Sequence, residues 1–119
     1  MKSRNAVAAL AALAHEHRLA VYRLLVKQGP SGLPAGVIAE RVGLAPSSLT
    51  FHLQHLMRAG LLSQTRDGRQ IYYAADFTTM TELIAYLTEE CCSAADGSCA
   101  EQCTPAEVAA PTKSSRRTA

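Results

Sequence analysis

Between Pro46 and Tyr73 the chain reads PSSLTFHLQHLMRAGLLSQTRDGRQIYY, and this stretch leaves little freedom about the fold. Leu49, Leu53, Leu56 and Met57 recur at helical spacing, so a helix over Ser47 to Ala59 buries one apolar stripe. Ser47, Ser48, Phe51, Gln54, His55 and Arg58 fall on the opposite face, and His52 lies at the margin, where a buried, hydrogen-bonded histidine fits. Gly60 stops the helix. Leu61 to Arg66 and Arg69 to Ala74 then read as strands, joined at Asp67-Gly68. That pair signals a two-residue turn, in which both central positions need positive φ.

A second helix precedes this one at short range. Pro34 to Val42 opens with proline near its first turn, where the missing N–H costs least, and Ile38 and Val42 share a face. Gly43 permits a tight turn, Leu44 plugs the core, and Pro46-Ser47-Ser48 begins the next helix with hydroxyl capping groups. Helix, glycine turn, serine-capped helix is the helix-turn-helix pattern. With the hairpin behind it, the predicted fold is a winged helix-turn-helix, mostly α with a small β-hairpin. Ser47, Ser48, Thr50, Gln54, His55 and Arg58 can then meet base edges or phosphates, and Phe51 can touch a thymine methyl or tuck against a neighbouring element. An ordinary polar helix face has the same composition. Arg66 and Arg69 flank the hairpin tip, where guanidiniums clamp phosphates or enter a minor groove. Edge strands also carry charge simply to stay soluble. Groove helix and basic wing together predict double-stranded DNA as the partner.

The flanking segments are helical. Asn5 to Ala14 is rich in Ala and Leu, with Val7, Leu10, Leu13 and Ala14 on one stripe, and so many small residues suit close helix packing within or between subunits. His17 to Gln28 follows, with Leu19, Tyr22, Leu24, Leu25 and Val26 apolar, and Gly29-Pro30-Ser31-Gly32 ends it. His15 and His17 flank the boundary between these helices; surface or capping roles suit them better than metal ligation. Asp76 to Cys92 reads as the last helix, with Met80, Leu83, Ile84 and Leu87 on its stripe and Cys91 continuing it. So long a stripe, with little domain left to cover it, predicts a homodimer. Residues 1–92 therefore form the DNA-binding and dimerisation domain, and 93–119, small, polar and proline-punctuated, a flexible cysteine-containing tail.

Composition sets only loose bounds. A chain of 119 residues holds one domain, and 48 % hydrophobic content suffices for a core. A net charge of +2 permits a nucleic-acid partner without demanding one. The basic start and Ala/Leu run at the N-terminus resemble a leader, but His15-Glu16-His17-Arg18 follows at helical spacing, which favours a structural helix and a cytoplasmic protein. No nucleophile–base pair or phosphate-binding glycine loop stands out, so an enzyme is not expected. Cys91, Cys92, Cys99 and Cys103 in a cytoplasmic chain point to metal or redox chemistry rather than a structural staple.

On Ala14-His15-Glu16-His17-Arg18-Leu19, SLTFHLQHLMRAGLL from Ser48 to Leu62, and Arg69-Gln70-Ile71-Tyr72-Tyr73, the chain resembles the ArsR/SmtB family of metal-responsive repressors. The resemblance spans roughly Val7 to Cys103 and implies a homodimeric winged-helix protein that occupies an operator until an inducer binds. It departs from two of the family's patterns: Leu33 to Leu44 holds no cysteine, and the last helix offers Glu82, Glu89 and Glu90 but no histidine. It looks instead like the subgroup with a Cys-Cys pair after Leu-Thr-Glu-x at the end of the last helix and a third thiol in the tail, which responds to trivalent arsenic or antimony. That likeness implies Cys91, Cys92 and a later cysteine as ligands, with no organic cofactor. Thiophilic As(III) favours a pyramid of sulfurs, and soft thiolates match it. Cys99 closes the shorter loop, and Cys103 is a substitute. A zinc or cadmium site on the same thiols, or a redox- or persulfide-responsive repressor of the same fold, are the alternatives.

Overall fold

The computed structural model describes residues 1–91. The chain groups into two compact units, Met1–Tyr86 and Leu87–Ala119. Within the described residues the order is α1 (Ser3–Leu13), α2 (Glu16–Gln28), β1 (Leu33–Pro34), α3 (Ala35–Val42), α4 (Pro46–Arg58), β2 (Leu62–Asp67), β3 (Gln70–Ala75) and α5 (Phe77–Leu87). No described helix is long and apolar enough to cross a membrane.

Branched aliphatic side chains from several elements make the core: Leu25 of α2, Ile38 of α3, and Leu49 and Leu56 of α4 are fully buried, with Leu61 closing the turn behind α4. On α1 the buried stripe is not the predicted one. Ala6, Ala9 and Ala12 face the core, while Val7 is 62 % and Leu10 42 % exposed. Methyl side chains let α1 lie close to α2 and α4, so Val7 and Leu10 are left outside, while Leu13 at the helix end is half-buried against the core as predicted.

The predicted hairpin is part of a three-stranded antiparallel sheet, in the order β1-β3-β2. The third strand is only Leu33 and Pro34, paired with Tyr73 and Tyr72. Proline tolerates this edge position because its missing N–H removes no bond from an inner strand. The helix predicted to open at Pro34 therefore starts one residue later, with Pro34 as its N-cap. Gly43 ends it in the left-handed region, at φ 73°.

The hairpin turn is also shifted. Asp67 pairs with Gln70, so Gly68 and Arg69 are the central residues. Only Gly68 has positive φ, at 66°, which is the pattern of a II′ rather than a I′ turn.

The last helix is shorter than predicted. Asp76 caps it, its Oδ1 accepting the Thr79 N–H at 3.1 Å, and its own N–H donates to the Leu61 carbonyl at 2.8 Å. Of the predicted stripe in the first unit only Leu83 is buried; Met80 is half-buried and Ile84 is 52 % exposed. In the second unit, Leu87 is exposed and ends the helix, and Cys91 lies in a turn in which its N–H donates to the Thr88 carbonyl at 2.9 Å.

Candidate nucleic-acid interface

The helix-turn-helix comprises α3, the Gly43–Ala45 turn and α4. Its second helix does not begin as predicted. The N-cap is Ala45, which has no side-chain acceptor to offer, and Pro46 takes the first helical position. Ser47 and Ser48 thus lie inside the first turn rather than capping it, and both are exposed. Their hydroxyls are left for an external partner. Thr50 is exposed too, its Oγ1 donating to the Pro46 carbonyl at 3.0 Å.

Farther along the same face, Phe51, Gln54 and Arg58 are exposed and His55 is half-buried. Phe51 is held edge-on against His55, with centroids 4.6 Å apart, and stays 57 % exposed. This face therefore presents hydroxyls, an amide, an aromatic edge and a guanidinium along one line. That is the donor and acceptor set that reads base edges and phosphates.

The wing lies beside it. A cleft between α4 and the sheet is lined by Thr50, Gln54, Gln64 and Tyr73. Arg66, opposite Ile71 on β3, and Arg69 in the turn are both exposed. All nine predicted contact residues, Ser47, Ser48, Thr50, Phe51, Gln54, His55, Arg58, Arg66 and Arg69, therefore belong to α4 or the hairpin, and all but His55 are exposed.

Two polar residues join this surface without a signal in the sequence. Gln64 comes from β2, across the cleft from α4. Arg18 comes from α2 and shares a second cleft with His55 and Arg58, walled by Ala8, Ala11 and Ala12. Its Nε donates to the Ala12 carbonyl at 2.6 Å, which fixes the guanidinium at the junction of α1 and α2. Neither neighbourhood is local in sequence, so no periodicity reports it.

His52 is buried as predicted but not hydrogen-bonded as predicted: its Nδ1 has no partner. Burial lowers its pKa, and His15, Arg18, His17 and His55 lower it further. His15 caps α2, its Nδ1 accepting the His17 N–H at 3.1 Å.

Of the predicted thiol ligands only Cys91 falls among the described residues, and it is exposed and disulfide-bonded. Cys92, Cys99 and Cys103 lie outside them. Among the described residues no group of three or more His, Cys, Asp or Glu is arranged to hold a metal ion.

Residues 13–65 match a family described as a helix-turn-helix domain, which covers α2, β1, α3 and α4 and the start of the wing. The nodulation protein NolR of Rhizobium meliloti is 32 % identical over 80 residues, 67 % of this chain and 63 % of NolR. The chain thus spans less than two thirds of that relative's length. The transcriptional activator HlyU of Vibrio cholerae is 30 % identical over 92 residues, 77 % of this chain and 82 % of HlyU. A homodimeric winged helix-turn-helix DNA-binding domain from Mycobacterium bovis, described as a possible ArsR-family transcriptional regulator, superposes with a TM-score of 0.58 at 27 % identity, covering 73 % of this chain and 81 % of that one.

Proposed function

This chain belongs to the helix-turn-helix family of transcriptional regulators that includes NolR and HlyU, and from that premise we propose that it is a homodimeric, thiol-responsive repressor that binds a duplex operator. The observation that carries the reading is the α4 face, whose serines, Gln54, Phe51 and Arg58 are exposed beside a wing bearing Arg66 and Arg69. In a groove-bound pose, α4 side chains read base edges while the wing arginines hold phosphates. A dimer would set two such helices about one helical turn of DNA apart, on half-sites related by its two-fold axis.

Dimerisation is supported by apolar residues that a single subunit leaves in water. Val7 and Leu10 project from α1, although that helix has a buried face of its own in Ala6, Ala9 and Ala12. Three residues apart on one helix, they stand side by side as an apolar strip that a second copy would cover. The M. bovis domain is itself homodimeric.

The inducer is assigned to Cys91, Cys92 and Cys99, with Cys103 as substitute, and to trivalent arsenic or antimony. The donor set suits a thiophilic ion only when reduced, and Cys91 is disulfide-bonded here. Each sulfur that binds arsenous acid loses a proton and displaces one water, so three thiols must be free together. Cys91 lies past the helix end, where the backbone is no longer held to helical side-chain directions. The Cys91 disulfide also favours a second reading. In it, oxidation of Cys91 and another cysteine by a peroxide, which takes up their two electrons and two protons to form water, is itself the signal.

Selection of binding sites from random duplexes, followed by gel shift of the winning sequence, tests the DNA reading. The complex is formed with the reduced chain and divided into three, one part receiving arsenite, one peroxide and one fresh reductant as the control, and release by arsenite or by peroxide separates the two inducer readings. A chain that selects no sequence, or stays bound under all three additions, refutes the proposal.

A further inference from the structure

All four histidines of the chain gather beside the recognition helix, although they come from two distant segments. The ring of His52, on the inner side of α4, lies 4.8 Å from that of His15 and 5.7 Å from that of His17, centroid to centroid. His15 and His17 are themselves 5.5 Å apart. Phe51 lies edge-on to both His52 and His55, at 5.7 and 4.6 Å. His52 is only 7 % exposed, and its Nδ1 has no hydrogen-bond partner.

The surroundings give a charge on His52 nothing to pair with. The groups that act on it are His15, His17 and Arg18 from the start of α2 and His55 from α4, and every one is a base. Arg18 is permanently charged and held in place by its bond to the Ala12 carbonyl. Glu16, the one acid in the first turn of α2, is exposed. Among the described residues no group of three or more His, Cys, Asp or Glu is arranged to hold a metal ion, and what an imidazole brings to such a place is the gain and loss of a proton. A buried imidazolium among bases loses its hydration without compensation.

We propose that His52 is a proton-operated latch: neutral, it lets the start of α2 close on the inner side of α4, and protonated, it forces that contact open and unseats the recognition helix, so that the protein lets go of DNA in acid. The latch gives acid sensitivity a sign that ordinary surface electrostatics cannot. Positive charge gained on the groove face as pH falls lies near phosphates and strengthens DNA binding. Opening the latch weakens it over the same range. The DNA arm of this proposal rests on α4 being the groove helix; the latch itself does not.

The test uses the full chain in two measurements. The first is free of DNA: ring-proton NMR titration of the histidines, with thermal melting followed between pH 8 and pH 5. His52 has a folded pKa below its ordinary 6.5, so stability present above 6.5 is lost as pH falls from there toward the folded value. The expected result is a melting temperature that drops by about 5 °C or more across that window, with the drop absent in His52→Leu. The second is anisotropy of a labelled duplex selected by the protein, in which affinity falls by up to about tenfold per pH unit below 6.5 in the wild type, and rises or stays level in His52→Leu.

If His52→Leu does not fold, His17→Gln serves in its place. It removes one facing base and keeps the backbone N–H that His15 caps, so the His52 titration moves up toward 6.5 and the acid loss shrinks. A His52 ring that titrates at or above 6.5, an equal acid loss in His52→Leu, or a His17→Gln chain whose His52 titration is unmoved overturns the latch. A chain that melts as expected yet selects no duplex at any pH upholds the latch and removes the DNA reading.

Discussion

A Cβ placed on Gly32 would fall 2.5 Å from the carbonyl oxygen of Tyr73, and Gly32 has a φ of +71°. The loop that enters the helix-turn-helix is therefore pressed onto the middle strand of the wing, next to the pairing of Leu33 with Tyr73. Only glycine satisfies both the backbone angle and the approach. Gly32→Ala is expected to cost about 3 kcal/mol, combining left-handed strain with displacement of β3. Gly43 is the control. Its φ of 73° and ψ of 37° lie in the left-handed region, but a Cβ there would meet nothing within 4 Å, so Gly43→Ala should cost only about 1 kcal/mol. Urea unfolding followed by circular dichroism compares the two, and equal losses would show that the Gly32–Tyr73 approach has no energetic weight.

Tyr22 of α2 is 7 % exposed and its hydroxyl has no partner. A buried hydroxyl without a hydrogen bond is a cost that Phe does not carry. Tyr22→Phe should therefore stabilise the fold by about 1 kcal/mol, raising the melting temperature by roughly 5 °C. Burial, and then the charge of Asp76, raise the Tyr22 pKa above 10.0. The stability this group holds below pH 10.0 is accordingly lost as pH climbs through 10.0 toward its folded value. The Phe variant should lose less over that range. A destabilised variant would show that the hydroxyl is satisfied in solution.

How much of this was legible depends on how local the cause is. Leu49, Leu53 and Leu56 repeat along one helix, and α4 starts one residue from where their pattern predicts. The hairpin was legible from Asp67-Gly68, but its register follows the pairing of Asp67 with Gln70, which moves the turn along by one. β1 was not legible, because two residues carry no period and the strand exists only through Tyr72 and Tyr73. On α1 the spacing of Val7, Leu10 and Leu13 points to one face, whereas close packing selects the small side chains of Ala6, Ala9 and Ala12. The groove face was legible because it is one side of one helix. Gln64 and Arg18 were not, since each reaches that face from another element.

The wing arginines and the groove face should fail differently. Arg66→Ala and Arg69→Ala each remove an exposed guanidinium from the hairpin tip. Each should weaken binding alike on every duplex and lower the slope of log affinity against log salt by about 1. Gln54→Ala and Phe51→Ala should instead cost about 1–3 kcal/mol on the selected duplex and little on a scrambled one. Anisotropy titrations at several salt concentrations separate the two classes. An Arg69→Ala chain with an unchanged slope would place the wing away from phosphate.

Cys91→Ser and Cys92→Ser test the inducer reading at its most exposed point. Neither residue belongs to α4 or the hairpin, so both variants should bind the selected duplex as the wild type does. Arsenite should release the reduced wild type, because three free sulfurs are needed to hold the ion, and it should fail to release either variant. Before reduction, with Cys91 in its disulfide, the wild type should ignore arsenite as well. Peroxide separates the alternatives: release of the reduced wild type by peroxide, abolished in Cys91→Ser, assigns the switch to disulfide formation. Release of Cys91→Ser by arsenite would remove Cys91 from the ligand set, and a reduced wild type that stays bound in both would leave the thiols without a role in release.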